Sequence, residues 1–158
     1  MRRFFVPMLL MLSLLAAPAL AGDVVHQETG LTFSLPASWS AGQDGDVLIA
    51  TSPDQKLSMV FMVTDIRATE DLVADVTREM GGKLRDVVLL SEPEARRVNN
   101  LIQTHAEGTG TCSDGTTCDW DLTLVSGARR NLLVMTLGDL TSREATVHEV
   151  YESIRTEM

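Results

Sequence analysis

Basic residues are scarce in this chain: 13 Lys and Arg stand against 22 Asp and Glu in 158 residues, a formal net charge of −9 with His neutral. No basic stripe is present to release counterions from a phosphate backbone, so nucleic acid is excluded as a partner, and anionic lipid surfaces are disfavoured for the same reason. Beyond the amino-terminal stretch the chain lacks the long apolar runs of a polytopic membrane protein. It has no internal repeat, no low-complexity tract and no Pro/Gly/Ser linker long enough to separate two domains, so one core is expected. With 44% apolar and 22% charged residues, collagen and long disorder are also excluded.

Chemical motifs are equally few. There is no Gly-x-Ser-x-Gly elbow, no phosphate loop and no dinucleotide fingerprint, because Gly81-Gly82 closes an expected helix rather than opening one, which is the wrong end for phosphate. The two cysteines suggest no Cys-His nucleophile pair, and no zinc or EF-hand spacing occurs. His148 is expected on a helix surface beside Glu149, and His26 near the start of the mature chain. Met59, Met62 and Met135 alternate with other apolar residues on expected strands, the pattern of core packing rather than of a copper-binding thioether set. No cofactor is expected, and no catalytic residue is assigned.

What is present begins with an export signal. Met1, Arg2 and Arg3 supply charge, Phe4 to Leu15 is apolar apart from Pro7 and Ser13, and Ala19-Leu20-Ala21 gives a small-x-small cleavage pattern before Gly22. Residues 1–21 are therefore expected to be removed, leaving residues 22–158 as one periplasmic or secreted domain with no stable membrane anchor. Arg2-Arg3 also admits a twin-arginine route, but the Leu-rich stretch behind the pair favours general export. No Cys follows the signal to carry a lipid.

Periodicity places the elements. Leu31, Phe33 and Leu35 alternate with Thr32 and Ser34 up to Pro36, after a short run at Val24 to Gln27. Val47 to Ala50 and Leu57 to Thr64 read as strands joined by a tight turn at Ser52-Pro53-Asp54-Gln55. Leu57, Met59, Phe61 and Val63 point one way, and Val60 and Met62 the other. Thr69, Glu70 and Asp71 cap an expected helix carrying Leu72, Val73, Val76 and Met80, stopped at Gly81-Gly82. Val87 to Leu90 reads as a buried strand and Glu92 to Asn100 as a loop or turn. Strands follow at Leu101 to Gly110, Trp120 to Val125 and Asn131 to Leu137. Thr141 and Glu144 suggest a capping box for a closing helix with Val147, Val150, Tyr151 and Ile154 on its apolar face.

Cys112 and Cys118 enclose five residues with an Asp-Gly pair among them, and an exported chain meets an oxidising compartment, so a structural disulfide across a hairpin is expected. If the cysteines face each other, opposed residue numbers sum to 230. Trp120 then lies over Gly110, Leu122 over Gly108 and Leu124 over Ala106, large on small, which assigns that face to the core. The opposite face gathers His105, Glu107 and Thr109 beside Asp119, Asp121 and Thr123. Two readings of it stand. The oxidised hairpin, with Asp114, Thr116, Asp119 and Asp121, could dock a partner at low entropic cost. Alternatively His105, Glu107 and Asp121 could hold a divalent cation or small ligand, against the plain reading of a solvated polar face.

Gly30, Leu31, Phe33, Pro36 and Trp39 match a Gly-hydrophobic-x-Phe-x-hydrophobic-Pro-x-x-Trp opening. On this pattern, and on the element order over residues 24 to 157, the chain resembles the PsbP/Mog-like α/β/α sandwich superfamily, which includes DcrB-like exported bacterial proteins. The resemblance implies an α+β fold, a twisted and mainly antiparallel β-sheet flanked by helices in a single domain, with Phe33 and Trp39 as core anchors and Pro36 as a strand stop. It also implies a non-catalytic accessory or protein-binding module of the bacterial envelope whose partner is another envelope protein. No cofactor travels with that fold. The Cys112 to Cys118 hairpin matches no general pattern of the superfamily.

Overall fold

The computed structural model describes residues 22–66, 72–80 and 83–157. The expected signal at 1–21, the cap at Thr69, Glu70 and Asp71, and the stop at Gly81-Gly82 lie outside them. Alternating segments give strands β1 (Gly22–His26), β2 (Leu31–Leu35), β3 (Ser40–Asp44), β4 (Val47–Thr51) and β5 (Leu57–Thr64), followed by helix α1 (Leu72–Glu79). Strands β6 (Leu84–Leu89), β7 (Glu94–Val98), β8 (Leu101–Cys112), β9 (Thr117–Val125) and β10 (Asn131–Gly138) come next, then helix α2 (Glu144–Ser153) and the short β11 (Arg155–Thr156). Every pairing is antiparallel: β1-β2-β11 form a small sheet, and β3-β4-β5-β10-β9-β8-β6 a large one, with β7 alongside the first half of β8.

The period of two on β5 and β10 divides the core between the faces of the large sheet. On one face Leu57, Met59, Phe61, Leu132 and Val134 pack against Leu31, Phe33 and Leu35 of β2, against Val147 and Val150 of α2 and against Ile154 just after it. Phe33 and Phe61 stack with ring centroids 4.1 Å apart, and Trp39 is buried beside them, so both expected anchors sit in the core. On the other face Trp120, Leu122, Leu124, Leu133 and Met135 enclose Met80 and Leu84. Met59 and Met135 are fully buried among these apolar groups.

The turn at Ser52 to Gln55 forms as its Pro-Asp signal predicts. The Gln55 N–H donates to the Ser52 carbonyl at 2.9 Å, and the Ser52 hydroxyl donates to Asp54. Arg143 reaches the same carboxylate at 2.6 Å and ties the turn to the start of α2. The Ser52 hydroxyl, chiefly, and the Arg143 guanidinium hold Asp54 well below the usual carboxylate range.

Four expectations change. The helices have only eight and ten residues, and α2 shares its face of the large sheet with the small one, so they flank much less of the sheet than a full α/β/α sandwich requires. What stands is a single, mainly antiparallel domain. The Glu92 to Asn100 loop contains β7, turned into β8 by Asn99 and Asn100, both at positive φ as a two-residue hairpin of the strand-matching hand demands. The Val87 to Leu90 strand is an edge, not buried: Val88 and Leu90 are 56% and 64% exposed. The Thr141 to Glu144 capping box does not form. Thr141–Arg143 is a 3-10 turn without a side-chain cap, and Asp139 instead accepts from the Ser142 hydroxyl at 2.9 Å.

Candidate functional site

Strands β8 and β9 are joined by a hairpin whose tip departs from the expected register. Opposed numbers sum to 228, not 230, so Trp120 lies over Gly108, Leu122 over Ala106 and Cys118 over Gly110. The cause is the turn. Gly115 N–H donates to the Cys112 carbonyl and Cys112 N–H to the Thr116 carbonyl, both at 2.9 Å, with Gly115 at a φ of +85°, a three-residue loop closed by a glycine bulge. The disulfide therefore joins diagonal rather than opposed residues, with Cα atoms 5.8 Å apart. A slip of two residues leaves every side chain on its expected face, because the side-chain period is two. Large still covers small: a Cβ added at Gly108 would lie 2.4 Å from the Trp120 ring, and the indole N–H donates to the Thr109 carbonyl at 3.0 Å.

The other face is built from rungs. Thr136, Asp121 and Glu107 are successive neighbours across β10, β9 and β8, and Thr123, His105 and Glu94 form the next row across β9, β8 and β7. Helix α2 crosses this surface with Tyr151 pointing down on to it. The buried Tyr151 hydroxyl donates to Asp121 and lies 2.7 Å from the Thr136 hydroxyl. His105 Nδ1 is 3.1 Å from the Thr123 hydroxyl, and its ring meets the Tyr151 ring edge-on at 6.0 Å. Gln103, also on this face, donates from its amide to the Tyr151 carbonyl at 2.9 Å.

Between sheet and helix lies a cavity of about 500 Å3. Its floor is His105, Glu107, Asp119 and Asp121, Glu94 and Arg96 enter from β7, and Tyr151, His148, Val147 and Glu144 descend from α2. Burial raises the Asp121 carboxyl above its ordinary value, opposed by the Tyr151 hydroxyl, the neighbouring His105 and Thr136, and reinforced by the Glu107 charge. Burial, followed by the adjacent Asp121 charge, raises the Tyr151 phenol well above its ordinary value. The site is thus a polar network at the inner end of an acidic cleft.

The expected residues divide. Asp119, Asp121, His105 and Glu107 meet at the cavity. Asp114 and Thr116 do not: at the hairpin tip the Thr116 hydroxyl donates to Asp114 at 2.6 Å, which lowers that carboxyl and occupies both groups locally. Among the described residues no three His, Cys, Asp or Glu side chains are grouped closely enough to hold a metal ion. His26 joins two turns, with its ring nitrogens 3.1 Å from the Thr29 hydroxyl and 3.2 Å from the Asp46 carbonyl. His148, on the cavity wall, pairs with Glu152 one turn on at 2.9 Å, both half exposed. Sequence reasoning missed Tyr151, Thr136, Glu94 and Arg96. A phenol on an apolar helix stripe and a threonine in mid-strand were the available signals, since a buried hydroxyl needs a partner.

No protein-family model and no curated protein sequence matches this chain. Solved structures do. The cyanobacterial PsbP (CyanoP) of Synechocystis sp. PCC 6803 superposes with a TM-score of 0.62 over 86% of this chain and 92% of its own, at 13% identity. A Bacteroides thetaiotaomicron protein superposes at 0.56 over 87% of this chain, at 11% identity, and this chain spans about half of its length, 49%. LpqN of Mycobacterium tuberculosis, described as involved in cell envelope biogenesis, gives 0.48 at 12% identity over 86% of this chain and 90% of its own, too loose to bear on fold or function. On the superposition with cyanobacterial PsbP, the chain has a PsbP-like fold.

Proposed function

We propose that this chain is an exported, non-catalytic accessory module of the bacterial cell envelope, periplasmic or secreted, that binds another envelope protein at the cleft between β8, β9 and α2. The observation that carries the reading is the cavity itself, where the polar hairpin face meets α2 in a recess of about 500 Å3. The signal-like residues 1–21 support export, and no helix among the described residues is long and apolar enough to cross a membrane. The disulfide and the bulged turn hold the hairpin in one shape, which reduces the entropy lost on docking.

The test places a photo-crosslinking amino acid at Asp119, on the cleft, or at Asp44, on the far edge strand β3, and exposes each bait to periplasmic extract of the source bacterium. The expected result is one protein crosslinked from Asp119 and not from Asp44, unaffected by chelator. Equal crosslinking from both positions, or none, overturns the reading. The second reading, a small ligand or divalent cation in the same recess, is favoured by a cavity within the usual range for ligand sites, about 300–1,000 Å3. Melting that falls in chelator and recovers with calcium or zinc would support its cation form.

A further inference from the structure

We propose that the cleft recognises a basic side chain, lysine or arginine, presented on a segment of the partner protein with apolar residues beside it. This rests on the protein-binding reading above and names the chemistry of what is bound. Five carboxylates line the cavity against a single guanidinium, Arg96. Among the described residues Glu94, Glu107, Asp119 and Glu144 form no ion pair, whereas Asp23, Asp65, Asp54 and Asp75 pair with Arg155, Arg130, Arg143 and Arg78. Low-dielectric walls around like charges focus a negative potential into the recess, which favours a cation there.

The rim determines the source of that cation. Leu90 lines the cavity and its N–H donates to the Glu107 carbonyl at 3.0 Å, and Val88, paired with Thr109 on the same face of the sheet, extends this exposed apolar edge outward. A free amine would end inside the cavity and leave this apolar border in water. A chain segment with aliphatic neighbours covers the border while its basic side chain enters, so acidic floor and apolar rim together fit a protein segment.

Titration of the oxidised protein with the peptide Ac-Ala-Leu-Lys-Leu-Ala-amide, followed by amide chemical shifts, tests this. The expected result is saturable shifts at Glu107, Asp119 and Leu90, and affinity at least about tenfold lower for the norleucine peptide or for the E107Q/D119N variant. V88S/L90S is expected to weaken the peptide and leave n-butylamine unchanged. All four positions are exposed, and unchanged amide dispersion shows that the variants fold. Norleucine or glutamate peptides binding within twofold of the lysine peptide, n-butylamine binding as tightly as the peptide, or no binding by the peptide would each overturn the proposal. Crosslinking from Asp119 in extract would then still uphold the protein-binding reading, because it depends on no charge in the partner.

Discussion

Gly108 shows how one residue sets the packing of a whole face. A methyl group there would meet the Val88 carbonyl at 2.1 Å and the indole at 2.4 Å, whereas at Gly110 its nearest neighbour is the flexible end of Leu84 at 2.7 Å. Gly108→Ala is therefore expected to cost about 3 kcal/mol in urea unfolding and Gly110→Ala about 1 kcal/mol; equal losses would show that the Trp120 contact does not limit packing. The Asp121 and Tyr151 pair makes stability pH-dependent in two windows. Both groups bind their proton more tightly folded than unfolded. Asp121 therefore contributes stability that is present below its ordinary value of 3.8 and lost as pH rises through the raised folded value. Tyr151 contributes stability that is present below its ordinary value of 10.0 and lost as pH rises above it. Asp121→Asn is expected to flatten the acid window and Tyr151→Phe the alkaline one, read by thermal melting across pH; unchanged profiles would refute the pairing. The odd-numbered face of the hairpin was legible from sequence. Tyr151 was not, because an apolar helix stripe gives no hint of which strand hydroxyl or carboxylate its phenol will meet.

Two turns carry much of the element-level order. The Asn99 amide donates to the carbonyls of Glu152 at 2.7 Å and Ile154 at 2.9 Å, so the β7-β8 turn also satisfies the end of α2. Asn99→Ala should cost about 1–2 kcal/mol through both losses, while Asn100→Gly, at a φ of 64°, should gain up to about 1 kcal/mol. Chemical denaturation of the two variants checks the opposite signs. The disulfide closes only a short loop, and Cys112→Ser/Cys118→Ser should lose about 2 kcal/mol while the cooperative unfolding transition is kept. Strands β5, β8, β9 and β10 were legible because apolar residues alternate along them. Strands β3 and β7 were not: Ser40 to Asp44 and Glu94 to Val98 have few apolar residues to alternate, and only pairing with β4 and β8 makes strands of them.

At the scale of the molecule, an excess of nine negative charges, several of them gathered unpaired at the cleft, opposes compaction. Raising ionic strength from about 10 to 150 mM should raise Tm by about 3 °C, and a smaller rise is expected in E107Q/D119N. A Tm insensitive to salt would show that these carboxylates do not repel one another measurably. The sequence by itself determined the strands that alternate, Phe33 among their apolar positions, the Pro-Asp turn and which side of the hairpin is polar, since each follows from local periodicity or backbone preference; Trp39 was expected in the core only through the family resemblance. Tertiary structure alone decided that the register slips by two, that the small sheet takes the place of a helix layer, and that α2 closes the polar face into a cleft. Those outcomes depend on contacts between residues distant in the chain, such as Tyr151 with Asp121 and Phe33 with Phe61, and no local pattern encodes which distant partner completes the packing.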